Sequence, residues 1–188
     1  MEVIVNNVLC IFTIKNSKIY ILADDNKIPS IVCSDKIDVI NKNYVDRLNL
    51  PNLNLKQTYT FSEKNDDKLI FYILFNDIVN YDLVKDKELI LIDKIDNNKF
   101  INKSMNYLKN NIVNTNNLTK IFDSEFALPE LQKLLENILN TKFDRRNFRK
   151  KLLNQNIIEQ IDKIEDKNFG RPAKLYKFKD DIKDIKVI

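Results

Sequence analysis

The sequence lacks histidine and tryptophan, and it has a single glycine and two cysteines among its 188 residues. Without an imidazole, the chain cannot use serine–histidine or cysteine–histidine catalysis, a histidine general base or histidine metal ligands. Cys10 and Cys33 both lie in apolar, strand-like segments, so we expect neither a disulfide scaffold nor a cysteine zinc site. No apolar run approaches the ~20 residues that span a bilayer, and the N-terminus has no signal-peptide pattern. We therefore expect a soluble, cytoplasmic protein that does not bind membranes.

The abundant residue types are those that an AT-rich coding sequence favours. Ile, Asn and Lys number 26, 27 and 26, whereas Ala occurs three times. Under this bias a single Lys or Asn indicates little, and residues that run against it indicate more. Four of the five arginines lie between Arg145 and Arg171, and the only glycine, Gly170, directly precedes Arg171. Both observations direct the search for a functional site to the C-terminal third.

The apolar content is sufficient for folded domains, because 44% of the residues are apolar and these include 11 Phe and 7 Tyr. Up to about residue 95, the chain is rich in predicted strands. A long β-branched run is interrupted by Asn16-Ser17, which predicts an antiparallel hairpin. Apolar residues at intervals of three and four predict an amphipathic helix over 35–48, with Asp35 as its N-cap. The predicted strands span 3–14, 18–22, 69–75 and 88–93. Together these elements predict a mixed sheet that carries a helix.

The second part of the chain is predicted to be helical and then β. A helical segment is predicted within 97–117, and its polar stretch at 114–117 is a candidate linker or helix end. Pro129 then marks the start of a helix with an apolar stripe. A second helix is predicted over 145–154, capped by Asp144. Strands are predicted over 157–161 and 174–178, and the charged loop between them ends in a Gly-Arg-Pro turn at 170–172. This order predicts a winged helix-turn-helix.

The residues of the second helix divide into two faces at about 100° per residue. Phe148, Leu152 and Leu153 form the apolar face, and the stem of Arg149 is placed to lie along its flank. The opposite face is polar and rich in arginine and lysine, and arginine makes bidentate contacts to guanine and phosphate. The candidate DNA-binding residues are Arg145, Arg146, Asn147, Arg149, Lys150, Lys151, Gly170, Arg171 and Lys174.

Three segments of this region resemble the C-terminal domain of the Nudix-related transcriptional regulators. They are EFALPELQ at 125–132, FDRRNFRKKL at 143–152 and GRPAKLYKF at 170–178, in the family's order and at plausible spacing. The first part of the chain resembles the family's Nudix domain through its hairpin, the segment 55–61 and the strand 69–75, with the helix 35–48 in the place of the Nudix helix. These bacterial repressors of NAD metabolism join a Nudix-like sensor domain to a winged helix.

The resemblance implies an α+β protein with a Nudix-like mixed-sheet α/β/α domain over 1–112 and a winged helix DNA-binding domain over 113–188. It also implies a homodimer that binds double-stranded DNA and regulates transcription. The candidate effector is ADP-ribose or a related NAD metabolite. No residue of a ligand pocket is predicted.

The segment at 43–50 stands where the family's catalytic enzymes carry the Nudix box. That box holds divalent metals through several glutamates, whereas this sequence has Tyr44, Arg47 and Leu48 where carboxylates belong. A lone Asp46 cannot build a multi-carboxylate metal site. We therefore expect no catalytic residue, no metal ligand and no cofactor, and thus a protein that is not an enzyme.

A second class of function stays open at this point. The chain is then a non-enzymatic Nudix-like interaction module whose winged helix binds a protein partner or structured RNA. The net charge of +4 does not separate the two classes, because attraction to phosphate depends on where the charge lies. The concentration of arginine on one helix favours the DNA-binding regulator.

Overall fold

The structure is a computed structural model that describes residues 1–50, 53–95, 98–122, 125–165, 173–180, 182–183 and 185–188. The chain divides into two compact units. The first comprises Met1–Ile14 and Ile19–Tyr107, and the second comprises Lys15–Lys18 and Leu108–Ile188. Helices and strands occur in both units, so the predicted α+β class is confirmed.

The first unit is built on a mixed sheet. Its strands are β1 (Glu2–Lys15), β2 (Lys18–Leu22), β3 (Ser30–Val32), β4 (Lys56–Asn65), β5 (Lys68–Val79) and β6 (Leu89–Leu91). The strand order is β4-β5-β1-β2-β6, and β3 pairs with β1. β1 and β5 run parallel through twelve paired residues, from Glu2↔Lys68 to Thr13↔Val79, whereas the other described pairs that β3, β4 and β6 make are antiparallel. The predicted mixed sheet is therefore present.

α1 (Ile37–Leu48) belongs to the first unit, and α2 (Lys99–Asn111) begins in the first unit and ends in the second, whose residues start again at Leu108. Tyr44 of α1 packs with Leu9, Ile73 and Phe75 of β1 and β5. The middle of β1 is buried at every residue from Val8 to Ile14. A strand that is buried on both faces needs no polar–apolar alternation, which explains the continuous apolar run in the sequence.

Local chemistry explains how these elements begin and end, with one correction. Asn16 and Ser17 both have positive φ, 51° and 58°, as a two-residue hairpin turn of the primed type requires. The prediction that Asp35 caps α1 is wrong. Lys36 occupies the N-cap position without a side-chain hydrogen bond, and the Asp35 carboxylate instead accepts from the N–H of Lys36, the adjacent residue.

Three other boundaries differ from the sequence-based expectation. β5 extends beyond the predicted 69–75 to Val79, because the strand continues through two buried polar residues, Asn76 and Asp77, to the buried Ile78 and Val79. The strand expected at 88–93 is only three residues long, and a turn of 3₁₀ helix at Ile92–Lys94 follows it. Of the two predictions for the polar stretch at 114–117, the linker is wrong and the helix end is present, since Asn114 is the N-cap residue of a short helix, α3 (Thr115–Ile121).

The second unit combines helices with a small antiparallel sheet. After α3 its elements are β7 (Phe126–Ala127), α4 (Leu128–Leu139), α5 (Arg145–Asn154), β8 (Ile158–Glu165) and β9 (Ala173–Phe178). The three strands pair in the order β7-β9-β8. Phe126 lies at the centre of the core, where its ring contacts those of Phe122 and Phe178 at centroid distances of 5.0 Å each.

The cysteines agree with the expectation that no disulfide forms. Both are free thiols, and burial raises the pKa of Cys10 to about 12. A thiol that is so rarely ionised is a packing residue and not a nucleophile. Among the described residues, no helix has the length and apolar character needed to cross a membrane.

Candidate nucleic-acid interface

The helices α4 and α5 carry most of the predicted site. Leu131, Leu134, Leu135 and Ile138 form a buried stripe on α4, at helical spacing. α4 ends at Asn140, which adopts the left-handed conformation (φ 50°, ψ 49°) that asparagine tolerates. A short connection then leads into α5, which begins at Arg145.

The N-terminus of α5 is capped as the sequence predicts. The Asp144 carboxylate accepts a hydrogen bond from the backbone N–H of Asn147 at 2.9 Å. This bond satisfies one of the N–H groups that the first turn of a helix leaves without a partner. Asp144 therefore fixes the start of α5, and the arginines of the helix are not needed for this cap.

Two side chains anchor α5 to the core. Phe148 and Leu152 are buried, and the ring of Phe148 stacks on that of Phe143 at a centroid distance of 5.6 Å. Leu153 was predicted to share this apolar face, and that prediction is wrong, because 42% of its surface is exposed. The buried face is therefore narrower than the angular count indicates, and Leu153 offers no covered surface to the stem of Arg149.

The remaining surface of α5 is cationic. Arg145, Arg146, Asn147, Arg149, Lys150 and Lys151 are all exposed. Within the described part of the chain, none of these five cations forms an ion pair with a carboxylate. Exposed cations that lack counter-charges of their own create a local positive potential, which attracts phosphate.

Lys174, another predicted contact residue, belongs to β9. Lys174, the second residue of β9, is exposed, and its Nζ donates to Oε1 of Gln160 on β8 at 3.2 Å. Gly170 and Arg171, the predicted turn of the wing, lie outside the described residues. The structure thus brings Arg145 to Lys151 together on one helix and places Lys174 on the neighbouring sheet.

Sequence analysis missed the polar residues on α4 that face the start of α5. Gln132 and Glu136 are half-buried, and Lys133 is exposed. Helical spacing could have identified this polar face of α4. Its residues share one side of the helix beside the leucine stripe, because they follow one another at intervals of three, one and three residues: Pro129, Gln132, Lys133 and Glu136. Their partners lie across a turn, which the helical spacing does not show.

The segment at 43–50, in the first unit, does not fit a divalent metal ion. Tyr44 is buried, and Leu48 packs against the same core. Arg47 lies 3.4 Å from the Asp24 carboxylate, and its guanidinium lies 4.8 Å from the centre of the Tyr44 ring. Burial and the nearby Asp24 raise the pKa of Tyr44, so no phenolate oxygen is offered as a ligand. In the described ranges, no three Cys, Asp or Glu side chains lie close enough to hold a metal.

Comparison with known proteins agrees with this architecture. Residues 118–178 match the family model of the NrtR DNA-binding winged helix domain. The crystal structure of Shewanella oneidensis NrtR complexed with a 27mer DNA is similar, with a TM-score of 0.68, 14% identity and coverage of 93% of each chain. Another crystal structure of Shewanella oneidensis NrtR gives a TM-score of 0.66 at 12% identity, over 94% of each chain. A sequence comparison with curated proteins gives no match.

These similarities extend over both units, although the sequence match covers only the second. The predicted architecture, a Nudix-like mixed-sheet domain followed by a winged helix, is confirmed. Residues 118–178 therefore form a winged helix of the NrtR type, and the resemblance of the chain to the Nudix-related transcriptional regulators is confirmed.

Proposed function

We propose that this protein is a DNA-binding transcriptional regulator whose α5 lies in the major groove. The observation that carries this proposal is the exposed surface of α5, where five cations and Asn147 surround an anchor of only two buried side chains. An α-helix fits the major groove of B-DNA, and a cationic helix face is attracted to the phosphates on either side. The winged helix match at 118–178 supports the same conclusion.

The proposed roles of the side chains follow from their positions on α5. Arg146 and Lys150 lie four residues apart on the face opposite Phe148, with Asn147 and Lys151 beside them. Arginine reads guanine through two parallel hydrogen bonds, and asparagine reads adenine in the same way. Arg145, Arg149 and Lys174 contact phosphates, and Gly170 and Arg171 are also proposed to contact DNA.

The first domain, over 1–112, is proposed to provide dimerisation and sensing, and the second, over 113–188, to provide DNA binding. A homodimer presents two α5 helices to two half-sites, which supplies the area that one short helix cannot cover. ADP-ribose or a related NAD metabolite is the proposed effector, on the basis of the Nudix-like fold. The protein then acts in the cytoplasm, where both DNA and this class of metabolite occur.

The first domain, over 1–112, is proposed to serve regulation and not to hydrolyse nucleoside diphosphates. Tyr44 is a core residue, Leu48 packs against the same core, and Arg47 is cationic, so the segment at 43–50 provides no carboxylate cluster. A nucleoside diphosphate bridged by divalent metals needs several carboxylate oxygens around those ions. Regulation through binding requires none of them.

A selection experiment tests the DNA-binding function. The full chain is incubated with a pool of random AT-rich duplexes, bound molecules are separated by gel shift, and the recovered sequences are compared. We expect enrichment of a sequence with two related half-sites, and binding that weakens between about 50 and 200 mM salt. If the recovered sequences share no motif, the protein is not a sequence-specific regulator. The result would then favour the alternative function, in which the winged helix binds a protein partner or structured RNA.

The effector is tested separately with the selected duplex. ADP-ribose should shift the thermal midpoint of the protein, because a ligand that binds only the folded state stabilises it. It should also change the affinity for the duplex. A midpoint and an affinity that do not respond to ADP-ribose would exclude it as the effector without affecting the DNA-binding result.

A further inference from the structure

A cleft of about 230 Å³ lies where the polar face of α4 meets the first residue of α5. It is lined by Pro129, Gln132, Lys133, Glu136 and Arg145. Sites for drug-sized ligands and cofactors usually measure about 300–1,000 Å³. The cleft is below that range, so it suits one small charged group better than a whole nucleotide.

Two of the polar lining residues are already engaged. Nε2 of Gln132 donates to Oε1 of Glu136 at 2.9 Å and to the carbonyl oxygen of Phe143 at 3.0 Å. Glu136 also accepts from the N–H of Phe143 at 2.9 Å, and Nζ of Lys142 lies 3.4 Å from its second oxygen. The single negative charge of the cleft is thus met by three donors.

Lys133 and Arg145 are the two remaining polar side chains of the cleft. Both are exposed, and among the described residues neither forms an ion pair or a hydrogen bond through its side chain. Two like charges that line one small cleft repel each other, and an anion between them removes that repulsion. The helix end itself is not the source of the attraction, since Asp144 already caps α5.

We propose that Lys133 and Arg145 together hold one phosphate of the DNA backbone in this cleft. The inference rests on the proposed function, because α5 can reach DNA only with its N-terminal end beside the duplex. Arg145 then contributes affinity and orientation, while Arg146 and Asn147 read bases. Lys133 becomes a DNA-contacting residue on α4, outside the helix that enters the groove.

The experiment uses the duplex selected by the parent protein, so that DNA binding is established before the cleft is tested. Each backbone phosphate is replaced in turn by a neutral methylphosphonate, and binding is measured for the parent, Lys133→Ala and Arg145→Ala. We expect each variant to bind the unmodified duplex about tenfold more weakly. One and the same methylphosphonate position should abolish the difference between the parent and both variants.

The salt dependence provides a second readout. One phosphate contact corresponds to a change of about one in the slope of log K against log salt. If Lys133 and Arg145 share one phosphate, the variant that carries both Lys133→Ala and Arg145→Ala should have a slope lower by about one, and not by two. Lys109→Ala is the matched control, since this exposed lysine of α2 does not line the cleft, and its slope should equal that of the parent.

Two results would overturn the inference while leaving the proposed function intact. Lys133→Ala could bind the selected duplex as the parent does, or Lys133 and Arg145 could respond to different methylphosphonate positions. Failure of the parent protein to select any duplex would instead remove the proposed function, and with it the phosphate. Because both side chains are exposed, the variants should melt at the parent's temperature, and a lower midpoint would show that they have a structural role instead.

Discussion

The carboxylate of Glu136 accepts a hydrogen bond from the backbone N–H of Phe143 at 2.9 Å. Glu136 belongs to the last turn of α4, and Phe143 directly precedes the cap of α5. Gln132 strengthens the link, because its Nε2 donates both to Glu136 and to the carbonyl oxygen of Phe143. The direction of α5 relative to α4 is therefore held by side-chain bonds across the turn as well as by the buried face of each helix.

Changing Glu136 to Ala should destabilise the second unit and weaken DNA binding in all sequences alike. The change leaves the N–H of Phe143 without its acceptor and frees the turn that aims α5. The measurement is the thermal midpoint of the full chain, together with its affinity for the selected duplex and for an unrelated one. An unchanged midpoint would show that the buried faces alone set the angle between the helices.

The same carboxylate predicts a pH dependence that Glu136→Gln should remove. Hydrogen bonds from Gln132 and from the N–H of Phe143 lower the pKa of Glu136 below its ordinary value of 4.5. A lowered pKa means that the stabilisation is complete above the unfolded value and is lost as the pH falls through the lower folded value. The stability difference between the parent and Glu136→Gln should therefore be constant at neutral pH and shrink below 4.5. A difference that persists at the acidic limit would contradict this origin.

Arg146→Ala should weaken binding to the selected duplex by about 1–3 kcal/mol and relax specificity at one base pair. The reason is the loss of a bidentate contact to one guanine, which no other side chain of α5 replaces. Binding of the parent and the variant is compared on a set of duplexes with single base changes. An equal loss of affinity on every duplex would show that Arg146 contacts phosphate and reads no base.

Lys150→Ala should weaken binding on every duplex alike and lower the salt slope by about one, because it removes one phosphate contact. Arg149→Ala serves as the comparison for stability. The exposure of Arg149 and of Leu153 indicates that this change leaves the free energy of unfolding within about 0.5 kcal/mol of the parent. If the Lys150 variant keeps the parent's slope across the salt range, α5 does not lie along the phosphates as proposed.

Residues whose effect is local were predictable from the sequence. Asp144 caps α5, and Asn16-Ser17 closes the first hairpin, because each acts on backbone groups within a few residues of itself. Phe148 and Leu152 were identified as core residues from helical spacing alone. The same helical spacing predicted the cationic face of α5, because that face lies opposite the two buried side chains.

Residues whose environment depends on the rest of the fold were not predictable. Leu153 is apolar, but the core ends before it, and no periodicity contains that information. Asp35 is a good cap by type, yet α1 begins one residue too late for it. The contact between Glu136 and Phe143 joins residues seven positions apart across a turn, so its existence depends on the turn's geometry and not on a repeat.

Incubation with ADP-ribose and either magnesium or manganese should release no AMP. The expected result follows from Tyr44, which is buried in the core, from Leu48, which packs against it, and from Arg47, whose charge would repel a divalent ion. Product is measured by chromatography, with Asp46→Ala as the matched variant, because Asp46 is the only carboxylate of the segment. Turnover that survives purification and falls in Asp46→Ala would contradict the non-enzymatic assignment.

Val187→Ala should lower the free energy of unfolding of the second unit by about 2 kcal/mol. Val187 is fully buried, and its N–H donates to the carbonyl oxygen of Val113 at 2.8 Å. The carbonyl oxygen of Ile185 accepts a hydrogen bond from the N–H of Thr115 at 3.1 Å. These backbone bonds hold the last described residues of the chain beside the start of α3, and they remain in the variant. The loss of stability comes from the two buried methyl groups, whose removal takes away apolar contacts and leaves a cavity. Urea unfolding is compared with that of Lys186→Ala, an exposed neighbour whose replacement should change the stability by about 0.5 kcal/mol at most. Equal unfolding midpoints for the two variants would show that this terminal segment does not contribute to the core of the winged helix unit.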